Sequence, residues 1–230
     1  MFYLALFENV QDFFIKGGVF MAFLLAISFV AVTVMLLRLI ALRRRAVIPV
    51  LIEKEIYKLK PGEVPEHLRH LIQDDTSPLS RIVEVAVRPY NATKQETLEV
   101  VQSRARQEIV RLESGLFILE IVVGIAPLLG LLGAVTGLVR VFSNIGSGVM
   151  STTDLKGIAS GIGEALSTTI VGLAIAIPAL VAFSYFSRRV ERLAVEMESL
   201  LTDLIEKIFH GARRRESYES DAEPLEEAAR

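Results

Sequence analysis

The sequence predicts an all-α integral membrane protein with three transmembrane helices, the second and third long enough to extend into the cytoplasm. Three observations predict this. Of 230 residues, 52% are hydrophobic, and they are gathered in long runs while the charges lie in blocks. Arginine clusters close the first and third runs on one side. The apolar positions outside the runs recur every three or four residues, which is the helical period.

A spanning helix needs roughly 20 apolar residues, because it rises about 1.5 Å per residue across about 30 Å of hydrocarbon. The first run, Gly17 to Leu37, contains no charge, the second covers Ile121 to Val139, and the third Ala165 to Ser187. Before them, residues 1–16 place Phe2, Leu6, Val10, Phe13 and Phe14 close to one helical face, as in a short amphipathic segment on the outer membrane surface. Met1 to Gln11 carries Glu8 and no basic residue, and the following run is too long for a signal h-region. Residues 17–42 therefore read as an uncleaved anchor, transmembrane helix 1.

Arg43, Arg44 and Arg45 follow helix 1, and Arg188 and Arg189 follow the third run. Basic flanks are retained in the cytoplasm, so residues 43–115 and the C-terminus are expected inside and the N-terminus outside. In the 43–115 region, Pro61-Gly62 and Pro65 break the chain into a hairpin. Ser77-Pro78 reads as an N-cap with proline at the first helical position, and Pro89 stops that helix. Thr93 with Glu96 forms a capping box, after which one helix is expected to run without interruption into transmembrane helix 2, residues 116–142. A short periplasmic turn, 143–154, ends in Ser151–Asp154, which resembles a second capping box. Transmembrane helix 3, 155–187, continues as a cytoplasmic helix over 188–211 through Val190, Leu193, Met197, Leu200, Leu204 and Ile208. Gly211 is expected to end it, leaving a polar, disordered tail at 212–230.

The chain has no cysteine, which excludes thiolate metal sites and disulfides, and its net charge of −2 gives no footprint for nucleic acid. No cofactor or metal motif is present in the sequence, nor one for covalent catalysis. The chemistry lies in the spans. Helix 2 holds Pro127, Gly130, Gly133 and Gly137, and helix 3 holds Gly172 and Pro178. Such small residues let helix backbones approach closely. Packing alone does not account for Glu164, Thr168 and Thr169, since a carboxylate within a bilayer is costly unless hydrated, paired or protonated. At about 100° per residue Glu164 and Thr168 share a face, whereas Thr169 lies about 140° from Glu164. One of them must face a neighbouring helix. Glu120, at the inner end of helix 2, reads as interfacial.

The stretches A-P-L-L-G-L-L-G-A-V-T-G-L (126–138) and G-I-G-E-A-L-S-T-T-I-V-G-L-A-I-A-I-P-A-L (161–180) resemble the MotA/TolQ/ExbB proton-channel family. The order of spans resembles its ExbB and TolQ branch. That resemblance implies a homopentamer in the bacterial inner membrane, with helices 2 and 3 around a central pore. It also implies a single-pass ExbD/TolR-like partner bearing a titrating aspartate, and a TonB- or TolA-like energy transducer. Thr169 then matches the family's pore threonine on helix 3, and Glu164 its glutamate. The chain departs from the pattern at Ala134, where the family has a threonine on helix 2. Thr136 stands two residues later, about 200° away.

The expected function is thus the pore-forming subunit of a proton-motive-force-driven motor, not an enzyme, with an ion pathway of Thr169, Thr168, Glu164 and Thr136. A passive pentameric scaffold for partner helices is the alternative that Ala134 favours. A secondary transporter is disfavoured by the absence of an internal repeat.

Overall fold

The computed structural model describes residues 18–62, 65–88, 93–146 and 155–227. Every regular element among them is a helix: α1 (Gly18–Ala41), α2 (Arg44–Val47), α3 (Val50–Lys58), α4 (Glu66–Gln73), α5 (Pro78–Ala86), α6 (Lys94–Glu113), α7 (Leu116–Gly146) and α8 (Leu155–Glu227). The amphipathic segment and the Ser151–Asp154 capping box expected from the sequence lie outside the described residues.

Three helices are long and apolar enough to cross a membrane, over Val19–Ala41, Leu116–Gly146 and within Gly157–His210. They belong to one unit, formed by the residues up to Leu39 with Gly115–Phe186. Helix α1 buries Met21, Leu24 and Ala31 and exposes Phe23, Phe29, Leu36 and Leu37, a surface that only hydrocarbon solvates without loss. At 31 residues, α7 is about 46 Å long against about 30 Å of hydrocarbon, so it must tilt or protrude.

The second unit comprises Ile40–Ser114 and Ser187–Arg230. Here α3 packs on α4, α4 on α5 and α5 on α6. Ser77 caps α5 by accepting the Ser80 N–H at 3.2 Å, with Pro78 at the first helical position. The expected capping box opens α6: Thr93 Oγ1 accepts the Glu96 N–H, and Glu96 Oε2 accepts the Thr93 N–H at 2.8 Å. Gly62, at φ 84°, turns the chain between α3 and α4 in the left-handed region that glycine tolerates best.

Lys207 of α8 holds that hairpin. Its ammonium donates to the carbonyls of Ile56 at 2.9 Å and Tyr57 at 3.2 Å, which the end of α3 leaves without intrahelical partners. Its own carbonyl accepts the Gly62 N–H at 2.9 Å. Arg44 is likewise enclosed by a two-point ion pair with Glu53 and a bond to Glu196 at 2.9 Å. These bonds, Glu53's first and Glu196's next, raise its pKa further above the usual arginine range.

Two expectations are corrected. The helix from Thr93 does not run uninterrupted into the second span, because a turn at Ser114–Gly115 divides α6 from α7. Ser114 keeps right-handed helical dihedrals, but its hydroxyl bonds the Arg111 carbonyl at 2.9 Å, competing with the helical ladder. At Gly115 the Arg38 guanidinium occupies the space a Cβ would take. At the other end, α8 passes Gly211 and reaches Glu227. One interior glycine costs only about 1 kcal/mol relative to alanine, and the flanking Ala, Arg and Glu residues are good helix formers.

Candidate functional site

Helices α7 and α8 meet along a line of small residues, and the spacing of that line explains their sequence. A Cβ on Gly130 would lie 2.7 Å from the Thr168 carbonyl oxygen and 3.0 Å from Thr169 Cα. On Gly172 it would lie 2.6 Å from the Ala126 carbonyl oxygen, on Gly133 2.9 Å from Thr168 Oγ1, and on Gly137 3.0 Å from the Ala165 Cβ. At Gly161 it would strike Val141. Residues 126, 130, 133, 137 and 141 therefore face 172, 168, 165 and 161 in antiparallel order. In a bilayer, where burial of apolar surface gives no drive between helices, this close approach is what supplies the van der Waals attraction. Gly124 and Gly163 have open space where a Cβ would stand.

Threonine chemistry sits at the tightest point. Thr168 is buried, and its Oγ1 lies 3.0 Å from the Gly130 carbonyl and 2.8 Å from that of Ala165. A hydroxyl has one proton to donate, so it is shared between an acceptor on each helix. Thr169 Oγ1 donates to the same Gly130 carbonyl at 3.3 Å while its side chain stays half-exposed. Gly133 makes the room for Thr168; any side chain there would displace it.

The other sequence candidates are placed as follows. Glu164 is half-buried one turn before Thr168, without a hydrogen-bond or ion-pair partner among the described residues. Ala134 is 6% exposed. Thr136 is on an exposed face of α7, bonded to its own helix through Leu132 O at 2.7 Å, and is not brought to the crossing. Pro127 is half-buried and Pro178 exposed; each removes one donor from its helix, leaving the carbonyls of Val123 and Ala174 without their ladder partners. Glu120 is exposed in the first turns of α7. Among the described residues no cluster of three or more His, Asp or Glu side chains could hold a metal ion.

A charged centre in the second unit was not read from the sequence. Glu108 of α6 is fully buried, with Arg111 Nη1 at 2.8 Å, Arg104 Nη2 at 3.4 Å and Arg81 Nε at 3.5 Å. Arg104 and Arg111 stand four before and three after Glu108, spacings visible in the sequence. Arg81 arrives from α5, which only the fold reveals. The carboxylate pins α5 to α6, leaving its Oε2 without a hydrogen bond.

The second and third spans are clamped by a crossing of glycines and threonines with a glutamate one turn away, which is more than a lipid anchor requires. The model of the MotA/TolQ/ExbB proton channel family matches residues 74–199, which include the whole crossing. The chain is 34% identical over 182 residues to a Synechocystis protein named ExbB-like 1, covering 76% of this chain and 69% of that one. It is 28% identical over 209 residues to ExbB-like 3 of the same organism, covering 88% and 97%. It is also 35% identical over 121 residues to the biopolymer transport protein ExbB of Xanthomonas campestris, covering 51% and 47%. The chain belongs to the MotA/TolQ/ExbB proton channel family, and within it to the ExbB type.

Proposed function

We propose that this chain is the pore-forming subunit of a proton-motive-force-driven motor complex in the bacterial inner membrane. Five copies surround a pore lined by α7 and α8, entered by the helices of an ExbD/TolR-like single-pass partner, and the complex energises a TonB- or TolA-like transducer. Arg43, Arg44, Arg45, Arg188 and Arg189 support a cytoplasmic C-terminus and a periplasmic N-terminus.

The observation that carries this reading is the division of labour between adjacent threonines. The Thr168 hydroxyl is consumed by the α7–α8 contact, while Thr169, on the same carbonyl, keeps an open side. Thr169 faces the lumen in this proposal, and its neutral hydroxyl can hold a water or a partner carboxylate by donating and accepting. Glu164, about 140° away, serves a subunit contact or the proton entry. Thr136 adds a hydroxyl from a different face of the pair. Each charge moved down 100 mV releases about 2.3 kcal/mol, which the assembly couples to a mechanical step.

The test is complementation by Thr169→Ala and Glu164→Gln, each expressed with a partner. Both are expected to lose activity while still assembling, whereas Thr168→Val is expected to weaken the assembly itself. Wild-type activity in both of the first two, with assembly intact, would favour the passive scaffold, the reading to which the buried Ala134 lends weight.

A further inference from the structure

The crossing of α7 and α8 has two flanks, and the register of the contact assigns each adjoining residue to one of them. Gly130 and Gly133 meet Thr168, Gly137 meets Ala165, Gly172 meets Ala126, and Gly161 meets Val141. The residue before a contact residue is turned about 100° back around its helix, and the residue after it about 100° forward. Because the helices are antiparallel, the preceding residues of both lie on one side of the pair and the following residues of both on the other.

The flanks differ in chemistry. The following residues are apolar on both helices, among them Leu131, Leu138, Ile162, Leu166 and Leu173, with Thr169 the exception. The preceding residues are Thr136 and Arg140 on α7 and Ser160, Glu164 and Ser167 on α8, over the end of the crossing that runs from Thr168 to Gly161. Towards the Ala126 end they become Ile125, Leu129, Leu132 and Val171. Thr136, Arg140 and Ser160 are exposed, and Glu164 and Ser167 half-buried. Thr136 Oγ1 and Ser167 Oγ donate to carbonyls of their own helices, Leu132 at 2.7 Å and Gly163 at 2.8 Å, which leaves their lone pairs to accept from water. Among the described residues neither Arg140 nor Glu164 has an ion-pair or hydrogen-bond partner. A charged group within a bilayer must be paired, protonated or hydrated, and such groups face a protein interior or a water-filled cavity.

We infer that this flank is a hydrated entry groove for protons, open at its Arg140–Ser160 end and closed beyond Ser167 by Leu129, Leu132 and Val171, with Glu164 as the carboxylate that takes up the proton. The inference rests on the motor reading proposed above and deepens it, because it separates outer access from the flank of Thr169. By the basic flanks of the spans, the open end is the periplasmic one. Neither span carries another Asp, Glu or His over 121–139 or 165–187, so the proton leaves Glu164 for a base on the partner.

The chain lacks cysteine, so single introduced thiols report without background. Thr136→Cys, Ser160→Cys and Ser167→Cys, with Leu138→Cys and Leu166→Cys on the opposite flank, are each co-expressed with an ExbD/TolR-like partner, and native mass spectrometry verifies their assembly. Treated from the periplasmic side with a membrane-impermeant cationic methanethiosulfonate, the first three are expected to react several-fold faster than the last two, and several-fold faster than when treated from the cytoplasmic side. Silent thiols at all three positions, equal rates on the two flanks, or reaction from the cytoplasmic side alone overturn the groove. Complementation by Glu164→Gln separates the two levels of the argument: wild-type activity overturns the ion pathway of the proposed motor, whereas lost activity together with silent thiols overturns the groove alone.

Discussion

At the scale of the residue, Thr168 and Thr169 show that identical side chains at consecutive positions take different work from a 100° rotation and the presence of one glycine. Gly133 leaves the volume in which the Thr168 hydroxyl sits. The same logic of local bonds makes Glu96 pH-sensitive. The Thr93 backbone N–H, and then its hydroxyl, hold the Glu96 carboxyl below the usual glutamate range. A carboxyl whose pKa is lower in the folded than in the unfolded chain contributes stability above the unfolded value, and this is lost as pH falls through the folded value. Amide exchange over the first turn of α6 is therefore expected to be slow near neutrality and to accelerate beyond its intrinsic pH trend as Glu96 protonates. Glu96→Gln keeps the capping geometry and removes the ionisation, so the extra acceleration should vanish. The same acceleration in Glu96→Gln would show that another group is responsible.

At the scale of the element, glycines that look alike in sequence are separated by what faces them. Gly172→Ala drives a Cβ into the Ala126 carbonyl, an atom fixed by its helix, so α7 and α8 must separate. Overpacking of this kind costs about 1–3 kcal/mol. Gly163→Ala meets open space and should leave the pair unharmed or improve it by up to about 1 kcal/mol through helix propensity. Thermal melts of the detergent-solubilised protein should rank Gly172→Ala below wild type and Gly163→Ala at or above it. Equal melting points for the two variants would refute the close crossing. Helix α8 works similarly at longer range: Lys207 closes the end of α3, so one element serves as candidate span and as fastening for the hairpin around Pro61.

At the scale of the whole molecule, α1 exposes Phe23, Phe29, Leu36 and Leu37, and α7 exposes Leu128, Leu131 and Val135. Hydrocarbon can solvate both surfaces, and in the proposed ring part of the α7 surface is covered by protein instead. Co-expression with an ExbD/TolR-like protein should therefore yield a complex whose native mass exceeds five chains by the partner's own mass. Removing the partner should leave the ring intact, because in the proposed arrangement copies of this chain alone surround the pore. A ring that forms only in the partner's presence would assign the assembly energy to the partner instead.

The amino-acid sequence by itself determined the all-helical class, the three spans and the caps at Ser77 and Thr93, because these depend on apolar run length, helical period and local hydrogen bonds. It also marked the glycines, Glu164 and both threonines as anomalous for lipid. Which threonine is enclosed, which glycines touch a backbone, and that Arg81 from α5 reaches Glu108 were decided by the tertiary structure. The reason is that sequence periodicity fixes only angles within one helix. The partner helix, its direction and its distance determine whether a given face meets a carbonyl, a carboxylate or open space. The break at Ser114–Gly115 belongs to the same category, since it follows from a serine hydroxyl diverted to its own helix and from the Arg38 side chain brought against Gly115 by the fold.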